Sequence, residues 1–123
     1  MTANDIFNSA MTLMFGESRD VMDYQPFFLP TLNILLAENF EINNGIRISL
    51  GKEPLVQLPK ILNMSDEIPY EEIFSRVILP YGCAGNIYTD DDRGLGSEYK
   101  NKYEYERNRI ITGYYTEAQD VYQ

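Results

Sequence analysis

The chain has 123 residues, a hydrophobic fraction of 44% and a net charge of −9. These values fit one ordinary globular domain, residues 1–123, whose core needs no metal or disulfide. The acidity argues against a phosphate-tracking surface, which needs clustered Lys and Arg, and no apolar run approaches the roughly 18 residues of a membrane span.

Asn4 or Asp5 can cap a first helix, along which Ile6, Phe7, Ala10, Met11 and Met14 recur at helical spacing. Gly16 is a plausible stop, and residues 17–24 are polar and read as a loop. A second helix is expected to open near Pro26, since proline is tolerated in a first turn. Phe28, Leu32, Leu35 and Leu36 lie on one face of it, widened by Leu29 and Phe40, with Pro30 about one turn in.

The pattern then changes. Asn43-Asn44-Gly45 is a turn signal. Ile46, Ile48 and Leu50 alternate with Arg47 and Ser49 as in a strand, and Pro54 and Pro59 bracket Leu55, Val56 and Leu58. A connection of this length is usually functional when it is not disordered, and its apolar content argues against disorder. It reads either as a β-hairpin folded onto the helices or as a loop docked on a partner.

The third helix is expected from residues 66–69, with Asp66, Glu67, Glu71 and Glu72 at its positive end. Tyr70, Phe74, Val77, Tyr81, Ala84 and Tyr88 follow helical spacing, and Pro80 should kink it. Gly82, Ala84 and Gly85 leave a small-residue face that a neighbouring helix can approach. After a charged turn at residues 90–96, Ser97 can cap a fourth helix carrying Tyr99, Tyr103 and Ile110, in which Glu98 can pair with Lys102. Gly113 is the expected stop. The fold class is therefore all-α: a small bundle of about four helices, a long extended or hairpin-like loop between the second and third, and an extended arm at residues 113–123.

Chemistry is hard to place. The chain has no histidine, the commonest general base and metal ligand. Cys83 is the only cysteine and has no histidine partner, so a buried structural thiol is the better reading. A free thiol suits a reducing compartment. The N-terminal residues carry no basic region, so no signal peptide is expected and synthesis in a cytoplasm is. Asp90-Asp91-Asp92 lacks the alternate spacing of a calcium loop and reads as a solvated turn. No catalytic group, metal or cofactor is expected. The ten tyrosines suggest protein contacts instead. The candidate interface residues are Ile46, Ile48, Leu50, Leu55, Val56 and Leu58 in the connection, with Tyr114, Tyr115, Val121 and Tyr122 in the arm.

Four features carry a resemblance. They are the opening helix from Asp5-Ile6-Phe7 leading through Tyr24 into the run Leu29-Pro30-Thr31-Leu32-Asn33-Ile34-Leu35-Leu36-Ala37-Glu38, the long extended connection, Ile68-Pro69-Tyr70-Glu71 through Ile78-Leu79-Pro80-Tyr81-Gly82-Cys83-Ala84, and the C-terminal close. The close, Glu117-Ala118-Gln119-Asp120-Val121-Tyr122, fits the same pattern. Together they resemble the head–tail adaptors of tailed bacteriophages, also called connector or head-completion proteins. The resemblance implies a virion protein of the neck, made in the bacterial host cytoplasm. Copies would form a homo-oligomeric ring, commonly of about twelve, beneath the portal protein. The ring extends the DNA channel, lets the genome pass without sequence-specific binding, and offers a platform to a tail-completion or tail-terminator protein. No membrane is involved. The alternatives are another neck or tail-completion protein, or a small phage-encoded protein-binding module.

Overall fold

The computed structural model describes residues 1–14, 18–88 and 93–122. It is all-α: α1 (Ala3–Leu13), α2 (Ser18–Ser49), a π-helical turn (Phe74–Ile78) running into α3 (Leu79–Tyr88), and α4 (Arg93–Tyr122). The capping reading shifts by two residues. Thr2 is the N-cap of α1, and Asp5 completes a reciprocal capping box with it. Those bonds hold the Asp5 carboxyl below its ordinary range. Met1 to Asn4 also bond residues 64–68: Ala3 N–H donates to the Asp66 carbonyl at 2.9 Å, and Ile68 N–H to the Met1 carbonyl at 2.9 Å.

Helix α2 is much longer than its sequence suggests. At 32 residues it rises about 48 Å. It absorbs the expected loop from residue 18 onward, both Pro26 and Pro30, and the expected turn and strand through Ser49. The stop expected at Gly16 lies outside the described residues. So does the Asp90-Asp91-Asp92 turn. Pro26 and Pro30 both sit on the exposed side of α2, where water can satisfy the carbonyls that lose an intrahelical donor.

The third helix starts later than expected. Asp66 instead closes a turn, accepting from Leu62 N–H at 3.1 Å and Asn63 N–H at 3.0 Å. Glu71 is bound by Arg47 at 3.1 Å and Lys52 at 3.0 Å. The expected distortion at Pro80 takes the form of the π turn just before it. Proline lacks the N–H that Arg76 needs and crowds its carbonyl. Widening the turn relieves this, and Leu79 N–H bonds the Phe74 carbonyl five residues back.

Helix α3 packs against all three other helices. Its small residues allow this, as their spacing predicts. A Cβ added at Gly82 would lie 2.9 Å from Leu35, and one at Gly85 would lie 3.0 Å from the Lys100 backbone nitrogen. Phe7 and Phe28 close the core between α1 and α2, with ring centroids 4.9 Å apart. Ile6, Leu32, Leu35, Leu36, Phe74, Ile78 and Leu79 fill the rest.

Most described tyrosines serve this interior rather than a partner. Tyr70 is buried and donates its hydroxyl to the Leu36 carbonyl. Tyr24, Tyr88 and Tyr99 form an edge-to-face chain at 6.2 and 6.3 Å. Tyr103 is buried between α4 and α2, and burial pushes its hydroxyl up to about 12. Helix α4 begins at Arg93, so Ser97 lies inside it, and Lys102 pairs with Glu106 at 3.8 Å. It also continues through Gly113 to Tyr122, so the backbone expected as an extended arm is helical.

Gly85 and Gly113 give a paired test. Gly85→Ala forces the Lys100 backbone away and should lower stability by about 1–3 kcal/mol. Gly113→Ala meets nothing within 4 Å and should raise it by about 0.5–1 kcal/mol. Urea midpoints of the two variants check this; equal shifts would contradict the close α3–α4 approach.

Candidate protein interaction surface

Three asparagines of α2 position the connection between α2 and the π turn, and a fourth, Asn39, binds α4. Asn44 Oδ1 accepts from Leu55 N–H at 2.7 Å, and its Nδ2 donates to the Leu55 carbonyl at 3.1 Å. Asn33 treats Ile61 the same way, at 2.8 and 2.9 Å. Each asparagine thus imitates a strand neighbour for one residue of the connection. From Asn33 to Asn44 the helix rises about 16 Å. At about 3.1 Å per residue a chain could span about 19 Å from Leu55 to Ile61. The two anchor pairs run in opposite order, so the segment, bent at residues 56–57, runs antiparallel along α2. Asn43 Oδ1 then accepts from Glu71 N–H at 2.8 Å. Asn39 Nδ2 donates to the Tyr103 hydroxyl at 3.0 Å, and its Oδ1 accepts from Arg107 at 2.8 Å.

This explains why the strand-like pattern misleads. Asn43-Asn44-Gly45 stays helical because its polar side chains make tertiary bonds instead of turn bonds. Ile46, Ile48 and Leu50 do not alternate in exposure as a strand would require, because they lie at a helical end. Ile46 is 2% exposed and belongs to the core, so it is no interface residue. Leu55 is half-buried against the core. Ile48, Leu50, Val56 and Leu58 are exposed, Val56 most of all at 93%. The side chains of Tyr114, Tyr115, Val121 and Tyr122 lie outside the described residues.

Among the exposed residues that escape the sequence reading are Phe27, Ile34 and Leu62, the latter two at 63% and 65%. The available signal is spacing. Phe27, Ile34, Glu41 and Ile48 recur every seventh residue, about two turns apart. They form a stripe distinct from the buried Leu32, Leu35 and Leu36. Asn33 adjoins Ile34 and Asn44 stands one turn before Ile48. The segment docked on these asparagines therefore lies beside the stripe, and both contribute apolar side chains to one side of the molecule. Each such side chain gains about 1.5–3 kcal/mol when fully covered, and contiguous exposed apolar surface marks an interaction site.

A second feature lies on other elements. A groove of about 470 Å³ runs between α1, the π turn with α3, and α4, lined by Ser9, Thr12, Leu13, Arg76, Val77, Pro80, Tyr81, Lys102 and Glu106. It contains no residue of α2 or of the extended segment.

Cys83 is fully buried, and burial pushes its thiol well above the ordinary value. Among the described residues there is no group of three or more acidic or thiol side chains placed to hold a metal ion. Among the same residues no helix is long and apolar enough to cross a membrane. No protein-family model, curated protein or solved structure matches the chain.

Two outcomes follow. Asn33→Ala removes both bonds that hold Ile61, worth about 1 kcal/mol each. Trypsin cleavage after Lys60 should accelerate at least about tenfold; an unchanged rate would mean the segment is held otherwise. Cys83 should resist Ellman's reagent at pH 8 until the protein unfolds, whereas rapid labelling of the native chain would contradict its burial.

Proposed function

We propose that this chain is a non-catalytic structural protein: a head–tail adaptor of a tailed bacteriophage. Copies form a ring beneath the portal protein, extend the DNA channel and present a platform for tail attachment. The protein then acts in the neck of the virion, after synthesis in the host cytoplasm. The observation that carries this reading is the exposed apolar side of the molecule, held in a defined shape before any partner arrives. Asn33 and Asn44 fix the extended segment, and with it Val56, Leu58 and Leu62, at no further ordering cost on assembly. A subunit that must fit identical neighbours needs such preorganisation.

Other features support the reading. The helical segment Leu79-Pro80-Tyr81-Gly82, which carries much of the resemblance, packs at the centre of the bundle. The buried Cys83 and the absence of histidine from the sequence leave a cysteine nucleophile and a histidine base without a carrier. The acidic balance suits a channel through which nucleic acid passes without sticking.

The test is electron microscopy of the purified full chain, alone and mixed with portal-bearing particles. Rings, free or seated on the portal, are expected. Monomers in both preparations would overturn the reading, and capture of a single host protein by that monomer would favour a phage-encoded binding module.

A further inference from the structure

Two surfaces on different elements of this chain complement each other. The first is the α2 face, with Ile34 and Ile48 on the helix and Val56 on the segment beside it. The charged residue within that helical stripe, Glu41, is acidic, and Glu38 at its margin accepts from the Tyr103 hydroxyl at 3.1 Å beside Arg107. The second is the groove between α1, the π turn and α4. Its apolar lining is Leu13, Val77 and Pro80, and Arg76 and Lys102 stand at its edge. The ion pairs there are Arg76–Glu72, Lys102–Glu106 and Arg109–Glu106. They leave one positive charge in excess, within a chain whose net charge is −9. The Arg76–Glu72 pair is exposed on both sides and weak, so Arg76 can change partners.

Pairing two α2 faces would bring two Glu41 carboxylates into one interface, which like-charge repulsion disfavours. The groove offers the opposite sign and an apolar lining. We propose that the α2 face of one copy docks into the α1–α4 groove of a second copy, so that the chain assembles head to tail. The choice of a second copy as occupant rests on the adaptor reading above. Such a heterologous contact closes into a ring when the rotation per subunit divides a full turn.

The experiment is sedimentation velocity of the full chain from about 1 μM to about 1 mM, with variants of each surface. Val56→Asp breaks the face at a side chain with no burial to lose. Lys102→Glu breaks the groove edge at an exposed position, and Thr12→Arg, also exposed, replaces it if that variant does not fold. The wild type should self-associate, and each variant should lose at least about tenfold in association constant with its thermal transition retained. An equimolar mixture of the two variants should form a dimer and stop there, since each keeps one working surface. A wild type that stays monomeric throughout, variants that associate like the wild type, or a mixture that stays monomeric would each overturn the proposal. A chain that is monomeric alone yet forms rings on a portal would overturn this docking while leaving the adaptor reading intact. Head-to-tail association with no affinity for a portal would do the reverse.

Discussion

The asparagine side chains of α2 hold the rest of the chain to a helix that local preference alone would break. Asn39 and Asn43 are fully buried, and a buried amide without hydrogen bonds costs about 1–3 kcal/mol. Arg107 and Tyr103 come from α4 to satisfy Asn39, and Glu71 N–H returns to Asn43 Oδ1, while Asn43 Nδ2 is buried with no hydrogen-bond partner among the described residues. Asn33 and Asn44 extend the same rule to the connection, where backbone groups of Leu55 and Ile61 find strand-like partners without any sheet. One helix thus settles where the extended segment lies, where the π turn begins and where α4 crosses.

That constraint links fold to function. An extended segment with no partner of its own would collapse or fray. Bound along α2, it can turn Leu55 and Ile61 inward while Val56, Leu58 and Leu62 remain exposed. The same helix supplies Ile34 and Ile48 on its outer side. The apolar surface is then a property of a segment bonded to a helix, which the proposed assembly from identical copies requires. At the other end of the connection, Glu71 with Arg47 and Lys52 ties the close of α2 to the start of the next helix. Gly51, with φ of 79°, makes the reversal between them.

Much of this was legible from periodicity. The α1 stripe, the Phe28 to Leu36 stripe, the distortion at Pro80 and the small-residue face at Gly82 and Gly85 all follow from spacing and side-chain size. What failed has a common form. Asn43-Asn44-Gly45, Pro26 and Gly113 are local breakers, and each lies inside a helix. At the asparagines, tertiary hydrogen bonds outweigh local preference. At Pro26, exposure lets water replace the lost bond. Nothing in the structure explains why α4 passes Gly113. The interface reading was half legible for the same reason: Ile46 and Ile48 look alike in sequence, and only the helical register that the asparagines impose sends one inward and the other out.

Amide hydrogen exchange across residues 53–72 measures that constraint directly. The backbone amides of Leu55, Ile61 and Glu71 donate to asparagine side chains, so they should exchange slowly in the native chain. Val56 and Gln57, exposed between them, should exchange near the rate of an unstructured peptide. This alternation of protected and open amides, with protection at Ile61 lost in Asn33→Ala, is what the account predicts. Uniformly fast exchange from 53 to 71 would contradict it.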